Sequence, residues 1–144
     1  MDDIDLDVGV FSHGERLLLR TIRLLALQTA CHGLQRHFEL ACGCAGREAY
    51  RTLGIFVEQL RLNGQRRIAL SAPPVQTVTD DERIILAAFA AAQNDDYREL
   101  DARLIDLIHA RPPASLGGAV CLVAQVFAMQ GLLILGEGAE RAAA

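Results

Sequence analysis

The sequence predicts an all-α domain, a single bundle of about five to six helices carrying one small two-stranded β ribbon. Three observations lead there. The composition is 51% hydrophobic and 22% charged, too apolar for a disordered chain. Aromatic residues make up 5%, with no Trp and two Tyr, which leaves a sandwich or barrel short of the side chains its pleated faces use. Alanine, leucine and arginine dominate instead, all strong helix formers, and every one of the 14 basic residues is arginine. At 144 residues the chain is one domain long, and a domain of that size buries roughly 70% of its unfolded surface without metal or disulfide staples. Residues 11–136 are read as that domain, with an acidic tail at 1–10 and a second tail at 137–144 both expected to be disordered.

The first helix begins where Ser12 and Glu15 have the spacing of a capping box, and it is expected to run to about Ala30. Arg16, Arg20 and Arg23 share one stripe of it, while Leu17, Leu18, Ile22, Leu24 and Leu25 cover much of the rest. A short helix over Leu34 to Cys42 follows, then the loop Cys42 to Gly46, then a third helix from Arg47 to Leu62 that Asn63-Gly64 ends. Arg66 to Ser71 changes character: a short alternating run before Pro73-Pro74 reads as extended. Thr79 and Glu82 repeat the capping-box spacing and open a fourth helix, with Ile84, Ile85, Leu86 and Phe89 as its core face. Asn94-Asp95 restarts the chain into a fifth helix that ends near Ala110 and is stopped by Pro112-Pro113. A sixth fills Ser115 to Gln130, Gly131 breaks it, and Leu132 to Leu135 is a second extended candidate. Residues 66–70 and 132–135 are expected to pair as the ribbon, since unpaired they would strand backbone groups beside a core.

Two blocks of residues raise a resemblance. Arg66-x-Ile68-Ala69-Leu70 with Thr79-x-Asp81-Glu82 and Leu86-Ala87-Ala88, and then Val123-Ala124-Gln125-x-Phe127-Ala128-x-x-Gly131-Leu132, resemble a family of short uncharacterised alphaproteobacterial proteins over about residues 66–134. The resemblance implies a helical domain with no assigned activity. That family often carries a run of cysteines between the strand-like segment and the helix, where this chain has Ser71 to Gln76. No thiol role is therefore carried over to that turn.

Charge is unevenly spread. Residues 11–70 hold nine arginines against Glu15, Glu39, Glu48 and Glu58, whereas residues 71–136 hold four arginines against eight acids. Internal neutralisation accounts for this, because a pI of about 5.5 is wrong for a nucleic-acid binder. A weak DNA-binding reading can still be built on Arg47, Arg51, Arg61, Arg66 and Arg67 around the second and third helices. The amino terminus has no signal-peptide pattern, so a cytoplasmic location with free thiols is expected. The uncharged stretch from Pro112 to Gly136 approaches a membrane span in length, yet glutamines and glycines interrupt it and a buried helix explains it.

The residues with metal-ligand chemistry are Cys31, His32, His37, Cys42 and Cys44, thiols and imidazoles within fourteen residues. The tight Cys42-x-Cys44 spacing fits known zinc sites poorly, and small core cysteines beside surface histidines are the plainer account. No metal, no cofactor and no catalytic residue is expected. The acidic clusters at 80–82 and 95–96 read as helix starts, and neither Ser12 nor Ser71 has the partners of a nucleophile. The leading expectation is a non-enzymatic protein that works by association with another protein, as a homodimer built on the sixth helix through Val120, Val123 and Phe127. The alternative is a small metal- or thiol-dependent protein using the Cys31 to Cys44 region.

Overall fold

The computed structural model describes residues 11–28, 31–73 and 76–136, and the two tails named above lie outside them. Six α-helices run through the described residues: α1 (His13–Ala26), α2 (His32–Ala41), α3 (Gly46–Asn63), α4 (Asp80–Gln93), α5 (Tyr97–Ile108) and α6 (Ala114–Met129). A single 3₁₀ turn, Gly43–Ala45, joins α2 to α3.

Both capping boxes form. At α1 the Ser12 hydroxyl accepts the Glu15 N–H at 3.1 Å, and the Glu15 carboxylate accepts the Ser12 N–H at 2.9 Å. At α4, Thr79 and Glu82 exchange the same two bonds at 3.0 Å each. Helix α1 stops at Ala26, four residues before the expected end, where Gln28 enters the left-handed region at φ 57°. Gly131 at φ 74° closes α6, a conformation with little strain only for glycine.

Helices α4 and α5 form a helical hairpin, and α6 packs against both α3 and α4. Four phenyl rings fill the centre. Phe38 of α2 meets Phe127 of α6 at 5.7 Å between centroids, and Phe56 of α3 meets Phe89 of α4 edge-to-face at 5.2 Å. All four are wholly buried.

That arrangement corrects the interface expectation. Val120, Val123 and Phe127 are 0%, 0% and 1% exposed within one chain, so none has surface to offer a second copy. Helix α6 is apolar all round because other helices and residues 132–136 wrap it. Its exposed positions include Ser115, Gly118, Gln125 and Met129, a poor apolar face. No helix among the described residues is long and apolar enough to cross a membrane.

The ribbon is not formed. Residues 66–71 are extended but dock on the first turn of α4, and residues 132–136 dock near its far end and on the start of α1. Side chains take the place of a partner strand. Asp81 accepts the Ala69 N–H at 2.7 Å, Glu82 accepts the Ser71 N–H at 3.1 Å, and the Thr79 hydroxyl donates to the Ala69 carbonyl at 2.7 Å. At the other end Gln93 accepts the Ile134 N–H at 2.8 Å, and Glu15 accepts the Leu135 and Gly136 N–H groups at 3.0 Å each. These bonds take up one edge of residues 66–71 and the N–H groups of residues 134–136, so the two segments do not need each other there.

Candidate functional site

A groove of about 690 Å³ lies between the C-terminal half of α1, the C-terminal half of α3 and the extended residues 66–70. Ile22, Leu25, Val57, Leu60, Ile68 and Leu70 supply its apolar lining. Leu27, 59% exposed, stands at its mouth. Gly54 faces the groove from the interior of α3, and a Cβ built there meets nothing within 4 Å. Glycine in a helix interior is destabilising by roughly 0.5–1 kcal/mol relative to alanine, so this one leaves open space at a helix's expense.

The wall made by residues 66–71 has two unlike edges. Its inner edge is held by α4, as above. On the outer edge, the N–H and C=O groups of Ile68 and Leu70 make no hydrogen bond among the described residues. Alternation along an extended chain also sorts the side chains: Ile68 and Leu70 are half-buried against the core, and Arg67 and Ala69 are exposed. The groove is thus lined by residues of a strand edge that is open among the described residues.

Charge on the rim is basic. Arg67 makes no ion pair among the described residues, and Arg61 meets Glu58 in an exposed pair at 2.6 Å. An exposed pair of that kind is worth about 0–1 kcal/mol, so it does not hold Arg61 from another anion. Arg66 is committed: its guanidinium grips Asp81 at 2.6 and 3.1 Å. Burial alone would raise the Asp81 carboxyl, but the Arg66 and Ala69 hydrogen bonds and the Arg66 charge outweigh it and hold Asp81 below the usual carboxylate range. The same bond pushes Arg66 up.

A buried ion pair between α1 and α4 has no warning in the sequence. Arg23 donates to Glu82 through Nε at 2.7 Å and Nη2 at 3.0 Å, and their side chains are 2% and 0% exposed. Arg23 also donates to the Thr77 carbonyl at 3.1 Å. The sequence places it on one arginine face of α1; in the fold Arg20 is exposed while Arg23 turns inward. A sequence separation of 59 residues carries no local signal.

The five metal candidates separate. Cys42 is fully buried, and burial pushes its thiol from 9.0 up to about 11. Cys31, Cys44, His32 and His37 are exposed, and the ring of His37 instead meets that of His13 edge-on at 6.3 Å. Among the described residues no three His, Cys, Asp or Glu side chains stand together as a metal site. A thiol held protonated by burial is a poor nucleophile and a poor ligand. The arginine set is likewise split, because Arg66 serves Asp81 while Arg47 and Arg51 stand exposed on α3. No family model, curated protein or solved structure matches the chain.

Proposed function

We propose that the protein works by association rather than catalysis, and that its groove captures an extended polypeptide segment in which apolar residues alternate with acidic ones. The observation that carries this is the open outer edge of residues 68–70 beside an apolar groove with a basic rim. An exposed edge is a template for an added strand, whose main chain supplies affinity and whose alternate side chains supply specificity. Residues on the inward face of such a strand would extend the Ile68 and Leu70 surface toward Leu25 and Val57. Residues on the outward face would lie next to Arg67. A second copy of the chain is one source of that segment, which gives the expected homodimer a route that does not use α6. The reading keeps the protein in the cytoplasm, where its four free cysteines stay reduced.

The test is a titration of the ¹⁵N-labelled full chain with a synthetic peptide alternating Asp with Leu, against a control alternating Arg with Leu. The acidic peptide is expected to shift the amides of Leu25, Val57, Ile68 and Leu70, and the basic one is not. Gly54→Leu should fill the groove, weaken the acidic peptide at least tenfold and leave the fold intact. Equal shifts from both peptides, or none at Ile68 and Leu70, would refute the reading.

A further inference from the structure

We propose that the same groove takes a second ligand, a free fatty acid, whose alkyl chain lies along Leu25, Val57 and Ile68, whose carboxylate meets Arg61 and Arg67, and which thereby shuts out the captured segment. The inference rests on the capture reading above for that consequence, and on the groove's own chemistry for the ligand. Charge is confined to one end. Helix α3 ends at Asn63 and the extended run begins at Arg66, so Arg61, Arg66 and Arg67, all lining the groove, flank the turn where these two walls meet. The α1 wall contributes Leu25, Ala26 and Leu27 and, among the described residues, no charge. An apolar trough with a few polar groups gathered at one place fixes a ligand's orientation as well as its chain.

Charge and space both fit a single-chain anion. Glu58 faces Arg61 and Asp81 faces Arg66, while among the described residues Arg67 makes no ion pair, so one positive charge is left over for one carboxylate. Gly54 stands about 10 Å back along α3 from Arg61. No atom lies within 4 Å of a Cβ placed there, which leaves the helix backbone open to an alkyl chain. At about 690 Å³ the groove falls in the range of small-ligand pockets, roughly 300–1,000 Å³. The consequence is regulatory: a fatty acid that fills the trough binds only the empty groove and lowers the apparent affinity of any acidic segment by mass action.

Titration of the ¹⁵N-labelled full chain with sodium octanoate and sodium decanoate, each below its micelle concentration, tests this. The amides of Leu25, Val57 and Ile68 are expected to shift. Each methylene buried tightens binding about fourfold, so decanoate should bind about fifteenfold more tightly than octanoate. Decyltrimethylammonium, of similar chain length and opposite charge, should bind at least tenfold more weakly than decanoate, and Arg67→Glu, a change at an exposed position, should reverse that order. Gly54→Leu should weaken decanoate at least tenfold. Saturating decanoate should displace the Asp/Leu peptide from wild type.

No shift at those amides, equal binding of the two surfactants, or an affinity indifferent to chain length would overturn the fatty-acid site, and the peptide titration would then decide the capture reading on its own. If decanoate binds as expected and the peptide never does, the capture reading falls and the ligand assignment stands. Decanoate that binds while leaving the peptide in place would overturn the exclusion. Shifts of the same amides by phosphatidylglycerol vesicles and not by decanoate would make a bilayer surface the ligand and overturn the assignment.

Discussion

Replacing Glu82 with glutamine should be among the most damaging conservative changes in this protein. The carboxylate is 0% exposed and accepts four hydrogen bonds, from Arg23 Nε at 2.7 Å, Arg23 Nη2 at 3.0 Å, the Thr79 N–H at 3.0 Å and the Ser71 N–H at 3.1 Å. Glutamine keeps the volume but replaces one acceptor with an N–H₂ group, and it removes the charge that faces the Arg23 guanidinium. Breaking a buried pair from one side costs about 3–5 kcal/mol, a large part of the roughly 5–15 kcal/mol by which a domain is stable. For a chain of this length, a loss of about 3 kcal/mol corresponds to a fall in Tm of about 10 °C. Urea unfolding followed by circular dichroism measures the loss, and the Arg23→Met/Glu82→Gln double variant completes a cycle. The double variant should be more stable than E82Q alone, with a coupling of about 1–3 kcal/mol. A loss under about 1 kcal/mol for E82Q, or additive effects in the cycle, would refute the assignment of Glu82 as the buried hub.

Three further outcomes are expected. Gly46→Ala should lower Tm although alanine is the better helix former, because its Cβ would lie 2.1 Å from the Glu39 carbonyl oxygen and 2.7 Å from its Cα; Gly54→Ala on the same helix should raise Tm, so thermal scans of the pair give opposite signs. With a thiol reagent at pH 8, exposed Cys31 and Cys44 should react at least a hundredfold faster than Cys42, and since the folded Cys42 holds its proton to about pH 11, its contribution to stability should fade as pH rises from 9 toward 11. The Asp81 carboxyl, held low mainly by Arg66 and Ala69 against the opposing effect of burial, should contribute fully above the unfolded carboxylate range and be lost as pH falls through its lower folded value; Asp81→Asn should flatten that acid limb in unfolding curves.

The helices were legible because their signals are local. Ser12 with Glu15 and Thr79 with Glu82 announce two helix starts at a spacing of three residues, and both boxes close as expected. The uncharged face of α6 announced burial but not what buries it, since a central helix and a dimer seam have the same pattern. Burial of Val120, Val123 and Phe127 is tertiary information. The groove was invisible for the same reason: Leu25, Val57 and Ile68 belong to three separate elements, each ordinary alone. One local clue existed in Gly54, a glycine inside a strong helical pattern, which signals either close packing or needed space. The two glycines of α3 divide between those meanings, with Gly46 pressed against Glu39 and Gly54 open.

The unformed ribbon and the groove are one physical fact. Residues 66–70 have the pattern of a strand and need partners for both edges, and a partner at 132–135 would have satisfied one of them. Acids in the first turn of α4 supply that edge instead, with Asp81 on Ala69 and Glu82 on Ser71. A helix turn can serve only one side of a strand, because successive N–H groups along an extended chain point opposite ways. Among the described residues the other side is left as a row of open donors and acceptors, with Leu25, Val57 and Arg67 lining the same groove. Edges of this kind are a hazard unless something covers them. Acidic residues with the spacing of simple helix caps therefore serve twice, since by anchoring the inner edge they fix the outer edge in place for a strand to add to. Loosening that anchor with E82Q should blur the groove as well as destabilise the fold, whereas Gly54→Leu should close the groove and leave the anchor untouched.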